Sequence, residues 1–179
     1  MPPDAYLPYI NDESMIPPMA NFGDGFRYHV TGLVHDETGF PTNDTAKIEA
    51  MLIRLNHKLD KYQDEIIQFE ETDTADAKIG IVTYGSSARS SRFAQRQARE
   101  AGIPVGMLRI QTMWPFPTKG IHEFSKKLSH IIVPELNLGQ VAHEVEHAVR
   151  GSVAVLRVNK ITGEPINPEE IVQKIKECV

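Results

Sequence analysis

The sequence predicts an α/β protein: a three-layer, mostly parallel sheet preceded by an extended arm and a long helix. Two observations carry this. From residue 78 onward, short apolar runs alternate four times with stretches of helical period, and right-handed crossovers turn such an alternation into a parallel sheet. The apolar runs also lack a clean in/out alternation, as expected of strands covered on both faces.

The first 77 residues read as an arm, a short hairpin and a linker helix; residues 78–179 read as the α/β domain. Residues 1–25 are rich in Pro, Asn, Asp and Met and show neither helical nor strand period, so an extended arm is expected. Phe26, Tyr28 and Val30 then alternate loosely before Asp36-Glu37-Thr38-Gly39, which has turn chemistry, so a short strand or hairpin is predicted over 26–34. The best helical pattern spans 44–70, with Thr42 or Asn43 as its cap. Ile48, Leu52, Leu55, Leu59, Tyr62, Ile66 and Phe69 recur at spacings of four and three, a heptad seam. Such a helix is about 40 Å long. Its seam lies either across its own domain or against another subunit or domain. Residues 71–77, polar and acidic, form the boundary.

In the second part, strands are predicted over 78–84, 105–112, 130–135 and 152–158. Helices are predicted over 87–101, 118–128, 138–150 and 168–178. Gly102 with Pro104, and Gly151, end two of them. Asn167, Pro168 and Glu169-Glu170 give the last helix a cap, a preset first φ and negative charge at the positive end of its dipole.

Of the 179 residues, 41% are hydrophobic and 24% charged, with a net charge of -5. That balance speaks against non-specific nucleic-acid binding, which needs a basic footprint. The lone cysteine, Cys178, holds neither a cluster nor an intrachain disulfide, and a reducing, cytoplasmic setting is the simplest expectation. No apolar run approaches the roughly 20 residues that span a bilayer. The amino terminus lacks the basic start and apolar core of a signal peptide.

Several constellations have residue types that could carry chemistry. His143-Glu144-Val145-Glu146-His147 matches H-E-x-x-H, in which two histidines one turn apart bind zinc and the glutamate activates water. Leu138, Val141, Ala142, Val145 and Val149 are expected to be the buried face of that helix, which leaves His143 and His147 opposite it. A solvated face is therefore favoured, with adventitious metal binding at His143 and His147 the alternative. Gly85-Ser86-Ser87, between a strand and a helix, is either a tight turn with a cap or an anion site. Arg89, Arg92, Arg96 and Arg99 form one basic stripe, a solvated face or a partner surface. Gly23-Asp24-Gly25 reads as a turn in the arm, and His35, Asp36 and Glu37 as another. Trp114, flanked by Pro115-Phe116-Pro117, is either a core plug or an interface anchor. Residues 131–140 carry an apolar strand straight into turn chemistry and a helix, which marks Glu135, Asn137 and Gln140 as a candidate interface loop at a strand's carboxyl end. No catalytic residue is assigned.

Four ordered stretches resemble a known family: Gly25 through Glu37 with Gly39-Phe40-Pro41-Thr42, Thr83-Tyr84-Gly85-Ser86, Trp114-Pro115-Phe116-Pro117, and Glu135-Leu136-Asn137-Leu138-Gly139-Gln140. They are similar to the C-terminal half of the α subunit of 2-oxoacid:ferredoxin oxidoreductases, closest to the 2-oxoglutarate type (2-oxoglutarate synthase). The resemblance implies a transketolase C-terminal-like domain that is architectural and inactive by itself. The complex would oxidatively decarboxylate a 2-oxoacid to an acyl-CoA and pass electrons to ferredoxin. Thiamine diphosphate, magnesium, an iron–sulfur cluster and coenzyme A are implied for the whole complex, with none bound by this chain alone. The implied partners are the remainder of the α subunit, a β subunit, γ and δ subunits where present, and ferredoxin through the complex, in an oligomer. The competing readings are a free-standing anion- or nucleotide-binding module on Gly85–Ser87 and a zinc hydrolase on His143, Glu144 and His147.

Overall fold

The computed structural model describes residues 2–179, and Met1 lies outside the described residues. The chain divides into two units, Met1–Asp64 and Glu65–Val179.

The first unit is held by its aromatics rather than by a sheet. The arm opens with a single 3-10 turn, Pro3–Ala5. The Tyr6 ring packs edge-on against Phe26 and Tyr28, with centroids 4.9 and 6.0 Å away, and its hydroxyl donates to the Pro18 carbonyl at 3.0 Å. Tyr9 stacks on the buried His35. Both nitrogens of that ring are engaged at 2.7 Å, Nδ1 by the Gly39 carbonyl and Nε2 by the Thr31 hydroxyl. The strand expected over 26–34 does not form. Its alternating aromatics face other aromatics of the arm, and pairing is confined to a single bridge between His35 and Pro41. Gly23 and Gly25, at φ +92° and +85°, confirm a turn there.

Helix α1 (Thr45–Ile66) is capped by Asp44, whose carboxylate accepts from the backbone N–H of Ala46 and Lys47 at 2.9 and 3.2 Å. Thr42 accepts from the N–H of Asp44 itself, so the cap stands two residues beyond Thr42 and one beyond Asn43. The only buried residue of α1 is Arg54, which donates to the Met15 carbonyl at 3.0 Å. The heptad residues are half-buried or exposed.

In the second unit the helix ends four residues sooner than its periodicity predicts. The Ile66 carbonyl accepts from the Thr112 hydroxyl at 2.7 Å, and the Gln68 carbonyl accepts from the N–H groups of Gln111 and Thr112. These bonds turn the chain into strand β1 (Phe69–Thr72), antiparallel to β3 (Val105–Ile110) with Phe69 opposite Ile110. The stretch read as helix end and acidic boundary therefore supplies a sheet edge, and the compact unit starts well before residue 78.

The sheet order is β1-β3-β2-β4-β5, with β2 at Ile79–Tyr84, β4 at His130–Glu135 and β5 at Ala154–Asn159. All pairs except β1–β3 are parallel. The strands alternate their side chains between two cores. Ile79, Ile81, Val105, Met107 and Ile132 meet α2 (Ser87–Glu100) and α5 (Pro168–Lys176). Val82, Leu108, Ile110, Ile131 and Val133 meet α3 (Thr118–Ser125) and α4 (Gln140–Val149). This is the expected three-layer fold with one antiparallel edge added. Each fully buried Ile or Leu removes enough apolar surface from water to stabilise by about 1.5–3 kcal/mol. Asn167 caps α5 as its sequence predicts, in a reciprocal box with Glu170.

Candidate functional site: the carboxyl ends of the strands

Parallel strands bring the connections that follow β2, β3, β4 and β5 to one edge of the sheet. From β2 the chain moves through α2 to β3 on one side, then returns through α3 to β4 on the other. The crevice between the ends of β2 and β4 is thus the topological switch point, where open α/β sheets hold their ligands. Two sequence-predicted loops, Gly85-Ser86-Ser87 and Glu135 through Gln140, meet there.

Here the crevice is bridged by the chain's own side chains. Asn137 Nδ2 donates to the Tyr84 hydroxyl at 2.8 Å. Its Oδ1 accepts from the N–H groups of Gly139 and Gln140 at 2.8 and 3.1 Å. Glu135 is fully buried, and each carboxylate oxygen accepts one backbone N–H from the start of α4, Val141 and Ala142, at 3.0 Å. These are orphan donors of the first helical turn, so the carboxylate caps the helix and also faces its positive end. Burial, and then the nearby Glu135 charge, raise the Tyr84 phenol above its ordinary value. Gly139 sits at φ +111°, and a Cβ there would lie 2.9 Å from Arg157 Nη1, so the turn needs glycine.

Glu135 is therefore a helix cap and Asn137 a turn clamp, while Gln140 opens α4 with its side chain exposed. Tyr84, the partner of Asn137, stands in the Thr83–Ser86 stretch of the family resemblance, but no pattern in the sequence gives it a role. Gly85, at φ +53°, makes the tight turn. Ser86 stands at the cap position without a capping hydrogen bond from its side chain, and Ser87 is buried as the first helical residue.

The two histidines stand apart from this crevice, whereas Arg89, Arg92, Arg96 and Arg99 line a cavity together with Gly85 and Ser86. His143 and His147 lie on the exposed face of α4. His143 Nδ1 faces Glu146 at 3.4 Å and the Arg157 guanidinium at 3.3 Å; a fixed cation at that distance opposes a metal ion. Among the described residues no three His, Cys, Asp or Glu side chains converge as a metal site. Leu138, expected on the buried face of α4, lies one residue before the Gly139 cap and is exposed. The arginine stripe splits in two. Arg99 holds Asp76 in a bidentate pair at 2.9 and 2.8 Å, and Arg92 reaches Glu70 at 3.3 Å. Arg96 lies over the Phe93 ring, and Arg89 has no carboxylate partner among the described residues. Trp114 is exposed, not a core plug; its neighbour Phe116 packs against the core instead.

Residues 77–171 match the family described as pyruvate:ferredoxin oxidoreductase core domain II. The 2-oxoglutarate synthase subunit KorA of Methanothermobacter thermautotrophicus is 39% identical over 176 residues, which are 98% of this chain and 47% of that relative. The chain thus spans about half the length of the curated relatives it matches. A solved 2-oxoglutarate:ferredoxin oxidoreductase from Magnetococcus marinus, with 2-oxoglutarate, coenzyme A and succinyl-CoA bound, superimposes with a TM-score of 0.80 at 30% identity, over 97% of this chain and 30% of that one. A split-gene transketolase shares the fold at a TM-score of 0.53 and 14% identity, over 61% of this chain and 41% of that one.

Proposed function

The chain belongs to the pyruvate:ferredoxin oxidoreductase core domain II family, and on that premise we propose that it is the architectural, assembly-forming domain of the α subunit of a 2-oxoacid:ferredoxin oxidoreductase. The observation that carries this reading is the bridged switch point. Where a ligand-binding α/β sheet would leave an open crevice, Asn137 satisfies the Tyr84 hydroxyl, and Asn137 and Glu135 satisfy the backbone N–H groups around them. Their polar groups are spent on holding two loops in place.

On this reading the complex oxidatively decarboxylates a 2-oxoacid to an acyl-CoA and delivers the electrons to ferredoxin. Likeness to KorA and to the Magnetococcus marinus enzyme favours 2-oxoglutarate as that acid. Cluster ligation needs several thiolates, and the single cysteine, Cys178, does not fit it. Diphosphate-bound magnesium needs carboxylate oxygens beside phosphate donors; the Gly85-Ser86 turn has no such carboxylate, since Glu135 is committed to α4. Thiamine diphosphate, magnesium and cluster are accordingly assigned to the remainder of the α subunit and to its partner subunits, and coenzyme A is assigned with them on the family resemblance alone.

Reconstitution tests the proposal. The chain alone is expected to be silent in coenzyme A-dependent reduction of ferredoxin by 2-oxoglutarate, and to restore assembly and activity when added to the other subunits of its complex. Turnover by the isolated chain, or a complex equally active without it, would overturn the reading.

A further inference from the structure

The two ends of the sheet differ in charge. The connections entering the parallel strands at their amino ends (73–78, 101–104, 126–129 and 150–153) carry Asp73, Asp76, Lys78, Lys126, Lys127 and Arg150. The connections leaving their carboxyl ends (85–86, 111–117, 136–139 and 160–167) carry only Lys160 and Glu164, which pair with each other at 3.8 Å. In a chain that is 24% charged, the leaving connections themselves are nearly free of charge, with Arg157 beside Gly139 and Arg89 beside Gly85-Ser86 at their margins.

That same edge exposes large apolar side chains from three loops. Met113 (40%) and Trp114 (71%) follow β3, Leu136 (38%) and Leu138 (71%) follow β4, and Ile161 (66%) follows β5. At about 4.8 Å per strand these loops fall within roughly 15 Å of one another across the sheet. Together they expose on the order of 500 Å² of apolar surface, near the top of what a soluble monomer shows and comparable to the roughly 800 Å² that each partner contributes to a standard protein interface. Aromatic and Met enrichment with depleted charge is the composition of an interface core. The leucine loop is also rigid in advance, because Asn137 fastens its turn to Tyr84 and to the backbone, so little ordering cost remains on docking.

We infer that this edge, centred on Trp114 and Leu138, is the docking face for an uncharged, apolar protein surface on another polypeptide of the same oxidoreductase complex. The inference rests on the assembly reading above and adds the face and the chemistry of its occupant.

Trp114 is the only tryptophan of the chain, so the face carries its own reporter. The test labels this chain with 5-fluorotryptophan and titrates it with the remaining subunits of its complex, purified without it. Association is expected to shift the single fluorine resonance and to reduce its access to a soluble paramagnetic quencher several-fold. The complex should hold from 50 mM to 1 M NaCl. Leu138→Arg is expected to weaken association at least tenfold while Leu138→Met keeps it, and both variants fold because the side chain is exposed. Assembly with an unchanged fluorine signal overturns this face and leaves the assembly reading standing. No assembly by a folded chain overturns the assembly reading itself. A resonance that shifts with the chain's own concentration in the absence of the other subunits makes the occupant a second copy and overturns the partner assigned here.

Discussion

Asn137 donates to the Tyr84 hydroxyl across 2.8 Å, joining the turn after β4 to the end of β2. The two residues are 53 positions apart in the chain, and the bond closes the crevice in which an α/β sheet most often receives a ligand.

Removing one end of this bond should therefore cost stability. Tyr84→Phe is expected to lose about 1 kcal/mol, the net value of one hydrogen bond. Asn137→Ala should lose about 2–3 kcal/mol, because the N–H groups of Gly139 and Gln140 lose their acceptor as well. Urea denaturation of the single and double variants should give a coupling of about 0.5–1.5 kcal/mol. Strict additivity would show that the two side chains do not communicate.

Glu135→Leu keeps the site filled but strips two helix-terminal N–H groups of their acceptor. A loss of about 2–4 kcal/mol is expected, read as a fall in the thermal midpoint. Glu135→Gln should fall between Leu and the wild type, since one amide oxygen replaces two charged acceptors. If Gln and Leu prove equal, the carboxylate's charge is not what holds α4.

Gly80 lies in β2 beneath α3, and a Cβ there would meet Leu128 Cδ1 at 2.5 Å and Phe124 Cε1 at 2.8 Å. Gly80→Ala is expected to destabilise by about 1–3 kcal/mol through overpacking. Pairing it with Leu128→Ala should recover part of that loss in the same denaturation measurement; no recovery would place the strain elsewhere.

The Arg157 hydrogen bond to Glu146, helped by its charge and by that of His143, lowers the Glu146 carboxyl below the ordinary glutamate value. A lowered acid stabilises the fold above its unfolded-state value and loses that contribution as pH falls through the folded value. Carbon-detected NMR titration should find Glu146 among the low-titrating carboxyls and should find it moved upward in Arg157→Ala. The pair is half-exposed and screened by solvent, so the accompanying change in acid stability should be small. An unmoved titration would mean that the pair seen here does not persist in solution.

The helix of 45–66 shows where pattern and structure part. Its heptad spacing continues to Phe69, yet the helix stops at Ile66 because Thr112, far along the chain, takes the Ile66 carbonyl and Gln68 begins to pair. Periodicity is a property of neighbours in sequence, while an edge strand exists only through its partner. For the same reason Phe26, Tyr28 and Val30 alternate as a strand would but pair with nothing: the rings of Phe26 and Tyr28 pack on Tyr6, and Val30 is exposed.

By itself, then, the sequence determined what local chemistry determines. The apolar runs became the four parallel strands, Asn167 capped its helix, and the ordered motifs around Tyr84, Trp114 and Asn137 pointed to the family. Only the tertiary structure decided that β2 and β4 lie side by side, and hence that Tyr84 meets Asn137. It also decided that Trp114 and Leu138 face outward from a shared edge. Strand order sets which loops converge, and it is fixed by burying two apolar faces at once between distant helices, a balance that no local stretch of sequence expresses.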